Sequence, residues 1–312
     1  MKKPLVVLTG PTAVGKTKAS IGLAKAIGGE IISADSMQVY RHMDIGSAKI
    51  RPEEMQGVPH HLIDVLEPSE EFHVVRFQQM AKAAMEEIYS RGHIPVIVGD
   101  IDFTENDGDR AFRQELMDYA DANGPLSLHE RLKEVDPKAA DAIHPNNTKR
   151  VIRALEFCHQ TGKKISEHNE KEREKESPYN FVYFVLNDER QKLYERIDRR
   201  VDLMIQEGLV EEVSRLKEMG YARDMVSMQG LGYKEILACL DGECTLDEAI
   251  YMIKRDTRHF AKRQITWFKR ERQVIWIEKE AYGYDEEKIL HTMIKHMEGV
   301  LCLEDYSGVP NF

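Results

Sequence analysis

The chain has 312 residues, of which 42% are hydrophobic, and a formal net charge of −10. That is enough apolar material for one large or two modest cores, and no apolar run approaches the roughly 18 residues that a membrane span needs. Met1, Lys2 and Lys3 lead straight into a strand-like run, which argues against a secretory signal, and the scattered Cys158, Cys239, Cys244 and Cys302 lack the spacing of a zinc site or disulfide framework.

A reducing cytoplasm fits these features. The negative balance argues at first against nucleic acid, although local Lys and Arg clusters decide phosphate contact more than the total does.

Strand and helix signals alternate from the N-terminus. Leu5, Val6, Val7 and Leu8 form a short apolar run of the kind a buried parallel strand shows, ending at Gly10. A helix is expected from about Gly15 to the glycine pair Gly28 and Gly29. Ile31, Ile32 and Ser33 read as a second strand. Phe77, Ala81, Ala84 and Ile88 share a helical face closed by Arg91 and Gly92, and Pro95, Val96, Ile97 and Val98 read as a third buried strand. This order predicts an α/β fold with a parallel sheet flanked by helices.

From about 104 to 178 the strand runs vanish and charged helical sequence takes over, ending in a Lys- and Glu-dense run over 163–176. That run reads as a solvated helix, and the whole stretch as a helical insertion domain. The core then comprises 1–103 and 179–312. A fourth strand is expected over 181–186, a helix carrying Leu193, Ile197, Val201 and Met204, a further helix ending near Gly220, and a last strand over 274–277. There is no internal repeat.

Gly10, Pro11, Thr12, Ala13, Val14, Gly15, Lys16 and Thr17 match GxxxxGK(S/T) in full, between a buried strand and a helix. Such a P-loop turns successive N–H groups inward to hold phosphate oxygens, and the helix N-terminus adds partial positive charge. Lys16 supplies a full charge and Thr17 a hydroxyl suited to Mg²⁺. The motif points to phosphate without saying which, so ATP remains open. Asp35 follows the second strand. In a doubly wound sheet it falls near the cradle, although by itself it reads first as a turn or helix-capping aspartate.

The blocks GPTAVGKT, ADSMQVYRHMDIGSAK, GVPHHLID, NNTKRVIRALEF, RRVDLMIQEGLVEEV, QGLGYKEI and HFAKRQITWFKR together resemble the tRNA dimethylallyltransferases, from about Leu5 to Ile277. The resemblance implies transfer of a dimethylallyl group from dimethylallyl diphosphate to the exocyclic amine of the adenosine 3′ of the tRNA anticodon. It implies that the P-loop holds the diphosphate and that Asp35 takes the proton from the attacking amine. It also implies that Lys16, Thr17-bound Mg²⁺ and Arg200 neutralise the leaving group.

On the RNA side, the loop of Asp35, Ser36, Met37 and Gln38 is similar to family residues that contact this adenosine, and an amide can address an adenine edge. Lys149, Arg150 and Arg153 share a helical face in a block, running through Val151 and Ile152, that the family associates with tRNA contact. Lys254, Arg258 and Lys262 repeat at four-residue intervals in another. Gly232, Tyr233 and Lys234 suggest a stacking aromatic near the loop. Trp267 and Phe268 read as core, and His60 and His61 as structural. The acids between Asp100 and Asp109 do not keep the order of a calcium loop.

One departure stands out. After the third strand the family continues with GGTGFY and several more residues, whereas here Val98 and Gly99 pass directly to Asp100. The missing threonine would help to bind diphosphate. Three rivals stay open: an ATP-using small-molecule kinase, a transferase acting on free adenine nucleotides, and a tRNA-binding remnant with an impaired active site. A monomer is expected.

Overall fold

The computed structural model describes residues 2–99, 110–174 and 176–301. The chain forms two compact units, Met1–Thr104 with Pro178–Phe312, and Glu105–Ser177.

The first unit is built on a six-stranded sheet of β1 (Lys3–Thr9), β2 (Gly29–Ser33), β3 (His60–His61), β4 (Ile94–Val98), β5 (Tyr179–Asn187) and β6 (Val274–Glu278). All pairings are parallel, in the order β3-β2-β4-β1-β5-β6. Parallel neighbours need long crossovers rather than hairpins, and helices supply them except between β2 and β3, where residues 34–59 run through turns. In chain order the helices are α1 (Lys16–Ile27) and α2 (Val74–Ser90), then α3 (Arg110–Asn123), α4 (Pro125–Val135), α5 (Pro137–Ala142), α6 (Thr148–Thr161) and α7 (Ile165–Glu174) of the second unit. After β5 come α8 (Arg190–Gln206), α9 (Leu209–Glu218), α10 (Tyr233–Leu240), α11 (Leu246–Phe268) and, after β6, α12 (Glu286–Glu298).

Alternation along the strands gives the sheet two apolar faces. Leu5 and Ile32 pack with buried residues of α2, α9, α10 and the start of α11. Val6, Leu8, Ile31, Val96 and Phe184 pack with α1 and α12. The five strands expected from the sequence are present, and the α/β fold with them. The sixth, β3, has neither the length nor the apolar run that a strand signal requires.

Glu30 fastens β3 to β2 through His61. This carboxylate is 2% exposed and accepts two hydrogen bonds from Arg91 (2.9 and 2.8 Å), with His61 at 2.7 Å and His93 at 2.6 Å. Burial opposes its charge, but the hydrogen bonds of Arg91, His61 and His93 and the Arg91 charge prevail and bring its pKa down to about 2. His60 and His61 therefore act structurally, with His60 Nδ1 2.8 Å from Val58 O.

The second unit is helical. Leu116, Leu128, Leu132, Val151, Ile152 and Leu155 form its core. Buried Asp136 caps α5 through Ala139 N (3.1 Å) and holds the start of α7 through Ser166 N (2.9 Å) and Oγ (2.7 Å). The acidic stretch from Asp100 to Asp109, the junction after Gly99 and Cys302 lie outside the described residues. Among the described residues, no helix is long and apolar enough to cross a membrane.

Candidate active site

The loop between β1 and α1 has the backbone a phosphate nest requires. Gly10 (φ 149°) and Gly15 (φ 98°) take conformations that side chains rarely adopt. A Cβ on Gly10 would lie 2.2 Å from Leu186 O, so no other residue fits there. Lys16 Nζ folds back on the carbonyls of Gly10 (2.8 Å) and Pro11 (3.1 Å). Thr17 is exposed at the N-terminus of α1.

At the end of β2, Ala34 N donates to Val98 O at 2.7 Å and the chain turns at Asp35. Oδ1 of Asp35 accepts from Met37 N (2.8 Å) and Gln38 N (3.3 Å), an aspartate-capped turn that fixes the carboxylate's orientation. Gly99 packs directly beneath: its Cβ position lies 2.7 Å from Ala34 C and 2.9 Å from Asp35 N. Gly99, the last described residue of this segment, thus packs against the backbone of Asp35.

A cavity of about 270 Å³ joins these parts. The P-loop contributes Thr12 and Ala13, and the β2 turn contributes Asp35, Ser36 and Met37. From α8 come Ile197, Arg200, Val201 and Met204, at the i, i+3, i+4, i+7 spacing of one helical face. Lys234 of α10 and Ile253, Thr257, Phe260 and Arg263 of α11 complete much of the wall. One enclosure therefore offers a phosphate loop, three cations, a single carboxylate and an apolar lining. That combination suits an anion carried on an apolar group and a neutral nucleophile that must lose a proton.

Several residues expected at the site lie elsewhere. Tyr233 is fully buried and its hydroxyl donates to Glu212 Oε1 at 2.8 Å, so its ring offers no face to a base. Burial, and next the Glu212 charge, push its pKa well above the ordinary tyrosine value. Gly232 and Lys234 beside it do line the cavity. Val151 and Ile152 are core residues of the helical unit, whereas Lys149, Arg150 and Arg153 are exposed on the opposite face of α6. The amide of Gln38 turns inward: Nε2 donates to Ser47 O (3.5 Å) and Ala48 O (3.4 Å), and Oε1 accepts from Ser33 Oγ (3.5 Å).

On α11, Lys254 and Arg258 pair at 2.5 Å with Asp202 and Asp198 of α8. Of the three expected tRNA cations on this helix, Lys262 alone is exposed. Phe268 is buried as expected, but Trp267 is 43% exposed.

Sequence reasoning missed the side chains that brace the loop from outside. Gln264 Oε1 accepts from Thr12 N at 2.9 Å. Arg196 Nη1 (3.3 Å) and Lys279 Nζ (3.4 Å) both donate to Val14 O. Gln264 could have been found: it continues the Ile253, Thr257, Phe260 face. Lys279 could not, because only the fold brings it to the loop. Among the described residues, no group of three or more His, Cys, Asp or Glu could hold a metal ion.

Comparison with known proteins fits this geometry. An IPP transferase family model matches residues 38–271, and an isopentenyl transferase model residues 3–66. A tRNA dimethylallyltransferase of Lachnoclostridium phytofermentans is 62% identical over 304 residues, covering 94% of this chain and 97% of that protein. The crystal structure of a tRNA isopentenylpyrophosphate transferase from Bacillus halodurans is 44% identical with a TM-score of 0.68, covering 96% of this chain and 98% of that one. A eukaryotic dimethylallyltransferase crystallised acting on tRNA is 30% identical with a TM-score of 0.71, covering 88% of this chain and 74% of that one. With a model spanning most of its length and a relative sharing well over half of its residues, the chain belongs to the tRNA dimethylallyltransferase family.

Proposed function

We propose that this chain transfers the dimethylallyl group of dimethylallyl diphosphate to the exocyclic amine of the adenosine 3′ of a tRNA anticodon, releasing diphosphate. The observation that carries this reading is the single cavity lined by the P-loop, Asp35 and Arg200. The amine nitrogen forms a bond to the allylic carbon as the carbon–oxygen bond to diphosphate breaks, and the nitrogen's proton passes to Asp35. The amine's lone pair is delocalised into the purine, so a base is needed. General-base help of this kind contributes ~10²–10⁴ in rate, or about 3–5 kcal/mol. Gly10, Pro11, Thr12, Ala13, Val14, Gly15 and Lys16 receive the diphosphate, and Arg200 neutralises it as it leaves.

Mg²⁺ suits the donor set. It keeps most of its waters and takes few protein ligands, and the exposed Thr17 hydroxyl with the diphosphate would hold it. When bound it supplies charge to the leaving group.

An anticodon loop is already single-stranded, so extruding one base costs less than from a duplex. Ser36 and Met37 line the cavity beside Asp35 and would frame that base. Lys149, Arg150, Arg153 and Lys262 supply exposed charge for the backbone. Such an enzyme works as a cytoplasmic monomer in this reading.

The family turn expected after Gly99 would follow a residue that packs against the Asp35 backbone. We therefore propose strongly reduced turnover with tRNA binding partly retained. Purified protein incubated with labelled dimethylallyl diphosphate, Mg²⁺ and unmodified tRNA, then digested to nucleosides, should yield prenylated adenosine. ATP should support no reaction. Inserting GGTGFY after Gly99 should raise the rate; no product in either protein, or consumption of ATP, would overturn the reading.

A further inference from the structure

The phosphate loop is anchored from behind, and the anchor is the carbonyl of Val14. It accepts hydrogen bonds from Arg196 Nη1 at 3.3 Å and Lys279 Nζ at 3.4 Å. Arg196 is itself fixed by an ion pair with the carboxylate of Asp188, whose Oδ1 also accepts from Glu189 N (2.7 Å) and Tyr284 OH (3.0 Å).

Lys279 is the less ordinary member. It is only 9% exposed, and among the described residues the one hydrogen bond of its ammonium is to Val14 O. Burial, followed by the charge of Arg196, lowers its pKa below the usual lysine value. A buried ammonium with one carbonyl acceptor works against stability, so the fold alone does not account for it.

Geometry suggests what does. A trans peptide points its carbonyl and its N–H in opposite directions, and the chain has no cis bond among the described residues. Holding Val14 O toward the two cations aims Gly15 N–H away from them. That N–H has no acceptor among the described residues. Lys279 Nζ lies 3.3 Å from the position of a Cβ on Gly15, so its charge sits directly behind the loop.

We infer that Lys279, together with Arg196, is a positioning residue for the diphosphate. By gripping Val14 O it presets Gly15 N–H as an anion donor and adds a second, buried positive charge to that of Lys16. This deepens the proposed function and rests on the loop's being the diphosphate site.

The test is Lys279→Met, which keeps the length and the packing and removes the cation. Calorimetry with inorganic diphosphate and Mg²⁺ should show the variant's Kd raised about tenfold, the loss of one charge-assisted hydrogen bond. KM for dimethylallyl diphosphate should rise in parallel while kcat at saturation changes by less than about threefold, the pattern of lost ground-state binding. The thermal midpoint should hold or increase, because a buried charge has been removed. A purely structural lysine would give the reverse: a lower midpoint and unchanged Kd. Lys279→Arg should stay within about threefold of the original Kd.

Wild-type diphosphate affinity in the Met variant would overturn the inference while leaving the function standing. Unfolding of that variant, or equal loss in the Arg variant, would overturn it too. If the unaltered protein failed to bind diphosphate, both this inference and the function would fall.

Discussion

Oδ1 of Asp35 already holds the turn that carries Ser36, Met37 and Gln38, so two substitutions at this position separate chemistry from architecture. Asp35→Asn keeps an oxygen acceptor for the Met37 and Gln38 N–H groups but cannot take up a proton at working pH. Single-turnover prenylation should fall by ~10²–10⁴, with tRNA affinity from filter binding unchanged. Asp35→Ala also releases the turn, and should add a loss of tRNA affinity. A matching fall in affinity for the Asn variant would assign the carboxylate to binding. Asp35 alone reads as a turn aspartate, and its proposed role comes from the resemblance of its block, whereas the P-loop was legible as a short ordered motif whose chemistry is local. Tyr233 was not. Nothing in the Gly-Tyr-Lys triplet signals that Gly46 and Glu212 close over the ring, yet a Cβ on Gly46 would lie 2.5 Å from it. Val151 and Ile152 were assigned by block rather than by face, although the spacing that groups Lys149, Arg150 and Arg153 leaves those two on the buried side of α6.

The elements that frame the cavity do two jobs, and α11 divides them along its length. Its 253, 257, 260 and 264 positions face the cavity and the P-loop, whereas Lys254 and Arg258 fasten it to α8. The four-residue repeat of cations correctly marks a charged stripe, but it cannot tell a stripe facing solvent from one facing the acids of a neighbouring helix. Charge reversal distinguishes the two. Arg258→Glu would set a carboxylate against Asp198 where the arginine is only 25% exposed, so it should lower the thermal midpoint by a few degrees. Lys262→Glu, on the exposed side, should leave the midpoint alone. It should weaken tRNA binding and reduce the slope of log affinity against log salt by about 1, the signature of one lost phosphate contact. An unchanged slope would show that this part of α11 does not meet RNA. The same reasoning explains why β3 escaped notice: two histidines form an edge strand beside β2, where only the fold brings His61 to the Glu30 carboxylate and His60 to Val58 O.

At the scale of the whole molecule, Glu30 links the sheet edge to acid stability. Its carboxylate ties β2 to His61 of β3, to Arg91 after α2 and to His93 before β4. The folded-state pKa of about 2 lies below the ordinary 4.5, so the unfolded chain binds the proton more readily. The resulting stability is fully present above pH 4.5 and is lost as the pH falls from there toward 2. The shift corresponds to roughly 3 kcal/mol, an upper figure because Arg91 is 43% exposed and solvent screens its share. Glu30→Gln keeps the size and removes the titration. Urea unfolding at pH 7 should find this variant less stable by up to about that amount, with Arg91 left facing an uncharged amide. Between pH 4.5 and 2 the original protein should lose its advantage and the two curves should converge, because both then present a neutral side chain to the same three partners. The helical unit lacks Glu30 and should not share this difference, so a probe in the sheet, such as hydrogen exchange of β2 and β4 amides, should follow the convergence while α6 amides do not. Parallel curves across that pH range would mean that Glu30 is held by packing rather than by its charge.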